Sequence, residues 1–245
     1  LLEKTKGDDI AILSYTSGTT GLPKGAILSY EYIMHIAKVW ASVDGIENFE
    51  NYLSFICPAW ATEQAVGIGI GLSKALEVNF PEEPETVQRD LREIGPRRVF
   101  YGARFWESIS STIQVKITEG AAVKRFFYNL AAKVSDALVR AKEEKKEPKL
   151  SILRFLNFLM RYMVYRGLKD QLGLLHVKAG YSGGAAVAPE IMRLFHSYGV
   201  NLKNLYGSTE VGVPAMHRDG DVKAETVGKV LDGSSVKISD EGEIL

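Results

Sequence analysis

The sequence has very little cysteine and no excess of either charge. Its 245 residues include one cysteine, Cys57, and 30 Lys or Arg against 30 Asp or Glu. A single cysteine excludes an internal disulfide and a cysteine-based zinc cluster, and it fits a reducing, cytoplasmic location. The balanced charge predicts no nucleic-acid partner and no broad anionic-membrane surface, although it is compatible with a local anion site.

Long uncharged apolar segments are also missing. The most apolar block, residues 151–168, contains Arg154, Arg161 and Arg166, whereas a membrane span needs about twenty residues with few charges. We therefore expect no transmembrane segment, and we favour a core helix here over a helix that faces a membrane surface or a partner. The chain starts without Met or a signal segment and stops within a strand–turn–strand pattern, so we expect a piece of a longer protein.

Strand-like and helix-like patterns alternate along the chain. Runs such as RRVFYG (97–102) read as strands, and stretches such as EPETVQRDLREIG (83–95) read as helices. This alternation predicts an α/β fold with mostly parallel sheets flanked by helices. The region from Arg104 to Gln171 reads as helix throughout and forms a helical insertion. We place one domain boundary at 205/206, between a central α/β part and a C-terminal part.

One loop combines glycines, short hydroxyl side chains and a lysine. It lies within SYTSGTTGLPKG (14–25), directly after a predicted strand. Glycine lets backbone N–H groups approach an anion, hydroxyls add donors without bulk, and Lys24 supplies a positive charge. The sequence therefore predicts a phosphate-binding loop over residues 16–24. It is not the common P-loop, because Pro23 precedes the lysine, and a polar surface loop is the alternative.

A second motif, YGSTE, covers residues 206–210 just past a predicted strand. Ligands of open α/β sheets bind outside the carboxyl ends of the strands, which favours a binding role here. Tyr206 offers a flat face for a base, Thr209 a hydroxyl, and Glu210 an oxygen ligand suited to Mg²⁺. The alternative is an ordinary turn capped by Thr209.

The third motif, AGYSGGAAVAPE (179–190), allows two interpretations. Residues 180–184 match the G-x-S-x-G pattern of an esterase-type hydrolase, with Ser182 as nucleophile. Glu190 or Glu210 and then His217 could complete a triad. However, an elbow helix starts directly after its serine, whereas Pro189 marks the first helical residue here. We favour a glycine-lined wall for a planar ligand. The scattered histidines, which we interpret as structural or surface residues, are His35, His176, His196 and His217.

Together these three motifs resemble the signatures of the adenylate-forming enzymes, which include acyl-CoA synthetases. They occur in the family's order, and the resemblance covers essentially the whole chain. CPAWATEQ (57–64) and the helical insertion resemble bacterial long-chain fatty acid–CoA ligases in particular. The resemblance implies activation of a long-chain fatty acid with ATP and Mg²⁺ to acyl-AMP, and then transfer to coenzyme A. A non-catalytic nucleotide-binding module stays open as a further alternative.

The resemblance also assigns roles to individual residues. The residues implied to hold the polyphosphate are Thr16, Ser17, Gly18, Thr19, Thr20, Gly21 and Lys24. The residues implied to enclose adenine and the α-phosphate are Gly183, Gly184, Ala185, Tyr206, Gly207 and Thr209. Glu210 and Thr16 would ligate Mg²⁺, and Lys24, Thr209 and Glu210 would act in catalysis. Trp60 and Gly183 would contact the acyl substrate.

The chain departs from the family pattern at Trp60, where many relatives have histidine. Trp60 therefore either lines the acyl site or belongs to the core. The resemblance places a ribose contact and a C-terminal domain with a catalytic lysine after residue 245, so we expect the piece alone to be inactive. It also implies that a β-barrel-like subdomain begins within 206–245. It is compatible with peripheral membrane contact, and it leaves the oligomeric state and the acyl length open.

Overall fold

The computed structural model describes residues 4–16, 22–143 and 151–245 of the chain. Its strands are β1 (Ile10–Thr16), β2 (Lys24–Ser29), β3 (Asn51–Leu53), β4 (Glu77–Asn79), β5 (Arg98–Gly102), β6 (Ala179–Gly183), β7 (Leu202–Ser208), β8 (Gly212–Met216) and β9 (Lys229–Val230). Its α-helices are α1 (Tyr30–Val43), α2 (Ala61–Glu63), α3 (Gly71–Lys74), α4 (Val87–Ile94), α5 (Ala103–Thr118), α6 (Ala122–Glu143), α7 (Ser151–Met160), α8 (Arg166–Gln171) and α9 (Pro189–Ser197). Shorter helical turns are π-helical at Gln64–Ile70 and Arg161–Tyr165 and 3₁₀-helical at Pro84–Thr86.

A five-stranded sheet in the order β5-β6-β7-β8-β9 forms the centre of the molecule. Strands β5, β6 and β7 run parallel, whereas β8 and β9 are antiparallel additions. Strands β3 and β4 form a parallel pair, and β1 and β2 form an antiparallel hairpin. The predicted α/β class is confirmed. Parallel and antiparallel pairs are equally frequent among the described strands, because hairpins stand at both ends of the chain.

The central sheet is covered on both faces, as the alternation of its side chains requires. Along β5, Val99 and Tyr101 belong to a core shared with α5, α6 and α9, whereas Phe100 belongs to a second core shared with α1. Trp106 anchors the first core, and its indole N–H donates to the Tyr181 carbonyl at 3.1 Å. Trp40 anchors the second core. The predicted arrangement of helices flanking the sheet is therefore present.

Helix α1 forms because its cap and its apolar spacing agree. The Ser29 hydroxyl accepts the Tyr32 backbone N–H at 3.2 Å, which satisfies one free donor of the first turn. Ile33, Ala37 and Trp40 recur on one face and are buried. The helix that follows β2 directly is thus fixed against the sheet.

Strand β6 is shorter at its start than the sequence suggests. The run LLHVKAGY (174–181) reads as a strand, yet the strand begins only at Ala179. Gly173 has φ +71°, and the Leu174 N–H bonds to the Lys169 carbonyl at 2.8 Å. The first residues of the run therefore close the end of α8, and an apolar run alone does not distinguish such a cap from a strand.

The helical insertion is present, but its apolar block is not a core helix on all sides. Met160 and Tyr165 are buried, whereas Phe155, Phe158 and Tyr162 are exposed. The expectation of a core helix is wrong for that outer face. None of the helices in the described ranges is both long and apolar enough to cross a bilayer. At the C-terminal end, a narrow hairpin pairs Ile238 with Ile244, and the β-barrel-like subdomain stays a prediction, as does the boundary at 205/206.

Candidate functional site

The candidate site is built on the carboxyl ends of β6 and β7. These strands are parallel neighbours in which Ser182 pairs with Asn204. The segment after β6 and the last residues of β7 therefore lie at the same edge of the sheet, and YGSTE begins within β7 rather than after it. We call this region the glycine edge and define it as Gly183, Gly184, Ala185 and Tyr206–Glu210.

Glycine is required in the wall of the glycine edge for two different reasons. A Cβ on Gly183 would lie 2.6 Å from the Leu205 side chain and 3.2 Å from that of Phe100, so the space there is filled. Gly184 has φ +80° and meets nothing within 4 Å, so its conformation rather than its packing favours glycine. Ala185 follows and is exposed. Gly184 and Ala185 thus form a short exposed strip of backbone that a planar ligand could approach, whereas Gly183 is buried beneath it at the end of β6.

The turn from β7 to β8 carries the polar part of the edge. Ser208 pairs with Gly212, and a Cβ on Gly207 would lie 2.0 Å from the Gly212 carbonyl oxygen. The turn is therefore closed so tightly that only glycine fits at 207. Tyr206 is 38% exposed, and the Ser208 hydroxyl donates to the Glu210 carboxylate at 2.8 Å.

Helix α1 packs against this turn. The Tyr32 hydroxyl donates to the Thr209 carbonyl at 2.6 Å, and a Cβ on Gly212 would lie 2.6 Å from the Ile36 side chain. Burial and then the nearby negative charge of Glu210 raise the pKa of Tyr32 to about 12. Tyr32 therefore stays a hydrogen-bond donor at neutral pH and fixes the backbone between Thr209 and Glu210.

The hairpin of β1 and β2 presents the predicted phosphate loop. Thr16 pairs with Lys24 across the hairpin, and the side chain of Lys24 is exposed. The predicted residues Ser17, Gly18, Thr19, Thr20 and Gly21 lie outside the described residues. Strand β2 separates Lys24 from the start of α1 at Tyr30 by roughly 20 Å at 3.4 Å per residue. The convergence of this loop with the glycine edge stays a prediction.

Trp60 lies in the segment that follows β3, close to the same hairpin. The Ser14 hydroxyl of β1 donates to the Ala59 carbonyl at 3.1 Å. Trp60 itself is 58% exposed and so does not belong to the core. The π-helical turn 64–70 begins shortly after it, and such turns recur at functional sites.

The serine hydrolase alternative does not fit this geometry. Ser182 lies within β6, fully buried, and its hydroxyl has no hydrogen-bond partner among the described residues. His217 accepts the Asn204 N–H at Nδ1 and contacts the Thr226 hydroxyl with Nε2 at 3.0 Å. Both ring nitrogens are thus engaged away from Ser182, and burial lowers the pKa of His217 to about 4. The interpretation of His217 as structural is confirmed.

The sequence interpretation missed a buried ionic cluster at the other end of α1. The Lys203 ammonium contacts the Asp44 carboxylate and lies 2.8 Å from that of Asp219. The Tyr181 hydroxyl donates to the same Asp44 carboxylate, which together with burial holds the pKa of Tyr181 well above its ordinary value. The sequence contained two indications of this cluster. A lysine interrupts the apolar run at the start of β7, and an aspartate directly follows α1. The cluster fixes the C-terminal end of α1 to β6 and β7, as Tyr32 fixes its beginning.

The residues present suit a magnesium ion that arrives with phosphates. Within the described ranges, no three His, Cys, Asp or Glu side chains are grouped closely enough to hold a metal ion alone. Mg²⁺ is commonly bound by one or two carboxylates together with substrate phosphates and water. Glu210 is an exposed carboxylate of this kind.

Comparison with known proteins gives a family for the chain. The family model described as "AMP-binding enzyme" matches residues 2–245. A chloroplastic long-chain-fatty-acid–[acyl-carrier-protein] ligase of Arabidopsis thaliana is 25% identical over 95% of this chain and 35% of its own length. A long-chain-fatty-acid–CoA ligase of Mycobacterium bovis is 29% identical over the whole chain and 40% of its own length.

Solved structures agree on the fold. The ATP-bound MatB from Rhodopseudomonas palustris superposes with a TM-score of 0.63 at 19% identity, over 98% of this chain and 38% of that structure. The chain thus spans about 35–40% of the length of these three proteins.

Proposed function

Because the chain belongs to the AMP-binding enzyme family, we propose that the complete protein activates a long-chain fatty acid with ATP. In the first step a carboxylate oxygen of the fatty acid attacks the α-phosphorus of ATP, and the bond to pyrophosphate breaks. In the second step a thiol sulfur attacks the acyl carbon, loses its proton and displaces AMP. Sequence similarity to fatty-acid ligases over nearly the whole chain supports this substrate class.

The observation that carries the proposal is the glycine edge. Strands β6 and β7 are parallel neighbours, so the backbone after β6 and the Tyr206 ring near the end of β7 would face the same space. Gly183, Gly184 and Ala185 would lie along one side of the adenine ring, and Tyr206 would stack on the other. Such positioning, rather than covalent chemistry, is the main contribution that a protein makes to this reaction.

The turn held by Tyr32 would place Thr209 and Glu210 beside the phosphates. The Thr209 hydroxyl would donate to the α-phosphate, and Glu210 with Thr16 would hold Mg²⁺. When bound, this ion would neutralise part of the phosphate charge. Lys24 and residues 17–21 would bind the β- and γ-phosphates, because an ammonium and backbone N–H groups are suitable donors to phosphate.

The remaining groups of the reaction are the acyl chain and the thiol that accepts it. Trp60 stands exposed beside the hairpin and next to the π-helical turn, which fits a role at the entrance for the acyl chain. Gly183 would contact the reacting carboxylate. The thiol would be that of coenzyme A, since relatives from Mycobacterium and Homo sapiens are named as fatty-acid–CoA ligases. The Arabidopsis relative described above is named instead as a ligase for an acyl carrier protein.

The test uses the full-length protein and follows exchange of labelled pyrophosphate into ATP with a long-chain fatty acid and Mg²⁺. We expect Glu210→Gln to lower the exchange rate by about 10²- to 10³-fold, the usual cost of one electrostatic group at a reacting centre. Glu77→Gln, an exposed carboxylate on β4, is the matched control and should exchange normally. Coenzyme A and a purified acyl carrier protein, added separately, identify the acceptor. Exchange that is absent in the wild type, or equal in both variants, would refute the proposal.

A further inference from the structure

Helix α6 carries a stripe of large apolar side chains that are wholly or partly exposed among the described residues. Phe126, Phe127 and Leu130 recur at helical spacing and are exposed, with Phe126 at 65%. On the opposite side, Tyr128 and Ala131 are buried in the core with α9. The helix is therefore apolar both on the side that packs on the core and on part of its outer side. The outer side of an ordinary surface helix is polar.

Helix α7 and the π-helical turn after it repeat this arrangement. Phe155, Phe158 and Tyr162 are exposed, with Phe158 at 66%, whereas Met160 and Tyr165 are buried. We call the outward side of the two helices the aromatic face, defined as Phe126, Phe127, Phe155, Phe158 and Tyr162.

The two stripes lie on neighbouring, antiparallel helices. The Ser135 hydroxyl donates to the Asn157 side chain at 2.7 Å, and the Tyr128 and Tyr165 ring centroids are 6.5 Å apart. The later residue of α6 thus contacts the earlier residue of the second helical segment, and the earlier contacts the later, so the two segments are antiparallel. Because both helices pack on the same core, their outer sides face away from it together.

Within the two segments that carry the aromatic face, the charged residues have one sign. Residues 120–135 and 155–169 contain no Asp or Glu, although the whole chain is balanced at 30 against 30. Apart from Arg161, whose guanidinium lies 3.4 Å from the His196 carbonyl, the exposed basic side chains of these segments are Lys124, Arg125, Lys133 and Arg166. None of these four forms an ion pair with a carboxylate of the described residues. The Arg166 guanidinium instead lies 5.3 Å from the centre of the Tyr162 ring.

We propose that the aromatic face is a peripheral docking surface for a membrane that contains anionic lipids. Exposed rings on a helix enter the boundary between headgroups and acyl chains, and Lys or Arg beside them attract anionic headgroups. A lipid surface explains both features at once. An acidic protein partner would account for the cations, but it gives less reason for five large rings to be exposed across two helices.

Docking of this kind goes beyond the proposed function and does not depend on it. It differs from the expectation drawn from net charge, because a balanced total is compatible with a local excess of cations. Vesicle binding requires neither ATP nor a fatty acid. A protein that fails the pyrophosphate exchange could therefore still bind lipid, and the two failures are distinguishable.

The test is cosedimentation of the full-length protein with vesicles of phosphatidylcholine alone or mixed with phosphatidylglycerol. We expect binding to the mixed vesicles and weaker binding to neutral ones. The double variant Phe126→Ser/Phe158→Ser and the charge variant Lys124→Glu/Arg125→Glu should each reduce the partition coefficient by roughly tenfold or more. The matched controls are Phe80→Ser, on a ring that is 72% exposed elsewhere, and Lys38→Glu on α1. Both should bind as the wild type does.

Two results would overturn the proposal. One is a wild type that does not sediment with anionic vesicles, or variants that sediment as well as the controls. The other is binding of an acidic acyl carrier protein, rather than vesicles, that is lost in the same two variants. Circular dichroism of each variant checks that the helices are intact. All four substituted side chains are exposed, so either variant can decide if the other fails to fold.

Discussion

The glycine edge and the aromatic face expose opposite kinds of surface. At the glycine edge the exposed groups are backbone, one tyrosine ring, short hydroxyls and one carboxylate, held by glycines that tolerate no added atom at 183 and 207. At the aromatic face it is five large rings surrounded by cations. The first surface can approach a small ligand closely, whereas the second offers a wide apolar area.

The difference reflects what each surface would have to recognise. A nucleotide is small and polar, so the atoms that touch it must be placed within tenths of an ångström. A lipid surface is broad and fluid, so apolar area and charge matter more than exact position. Rigidity is therefore expected at the glycine edge and tolerance of substitution in the helical insertion.

The largest expected effect comes from adding a single methyl group at the glycine edge and, for comparison, in the helical insertion. Gly207→Ala places a Cβ 2.0 Å from the Gly212 carbonyl oxygen, which only a shift of the backbone can relieve. We expect a loss of about 4 kcal/mol or more of unfolding free energy. Gly167→Ala in α8 meets nothing within 4 Å and should stabilise by about 0.5–1 kcal/mol. Thermal unfolding of the two full-length variants measures both, and equal midpoints would contradict the contrast.

Acidification should weaken the sheet beside the glycine edge more than the insertion. Burial, assisted by the charge of His196 and Lys203, lowers the pKa of His217 from 6.5 to about 4. The unfolded chain then binds a proton that the folded chain does not, so stability is complete above pH 6.5 and falls as the pH decreases towards 4. The loss amounts to about 3 kcal/mol.

Hydrogen exchange measured at several pH values, and corrected for intrinsic rates, can locate this effect. Amides of β7 and β8 should lose protection below pH 6.5 while those of α6 do not, since residues 103–171 contain no histidine. His217→Asn, which can still accept the Asn204 N–H, should flatten the pH dependence. An unchanged profile in that variant would assign the effect to other groups.

Removing one exposed lysine from the proposed phosphate loop and one from beside the aromatic face should separate catalysis from docking. Lys24→Ala should lower kcat/KM for ATP by about 10- to 150-fold, corresponding to about 1.5–3 kcal/mol for one hydrogen bond to a charged group. Lys133→Ala should leave this parameter unchanged and weaken only vesicle binding. Steady-state kinetics with varied ATP checks the first expectation. A lower kcat/KM for ATP in Lys133→Ala would contradict the prediction that the two surfaces have separate roles.

The smallest effects come from two buried serines with opposite surroundings. Ser182 in β6 has no hydrogen-bond partner among the described residues, whereas Ser135 in α6 donates to Asn157 at 2.7 Å. Ser182→Ala should stabilise slightly, by up to about 1 kcal/mol, and Ser135→Ala should destabilise by about 1 kcal/mol. Ser182→Ala should also retain thioester synthesis. Esterase activity abolished by that substitution would instead favour the hydrolase alternative.

Much of this arrangement was predictable from local patterns. The α/β class, the two strands that precede the glycine-rich segments, and the start of α9 at Pro189 follow from periodicity and turn residues. The ionic cluster of Lys203 with Asp44 was not predicted, because a charged residue in an apolar strand gives no indication of its partner 159 positions away. The hydrogen bond from Tyr32 to Thr209 was missed for the same reason.

The sequence by itself determined which chemistry the protein carries. Glycines, hydroxyls, a lysine and a carboxylate occur in three short motifs, and their functional groups are properties of the residues wherever the chain places them. Only the tertiary structure decided which side chains are accessible. It buried both Ser182 and His217, with the His217 ring hydrogen-bonded to other residues, and it left the outer side of helices α6 and α7 exposed. Accessibility depends on contacts between segments far apart in the chain, and helical periodicity reports which side chains share a face but not what lies against that face.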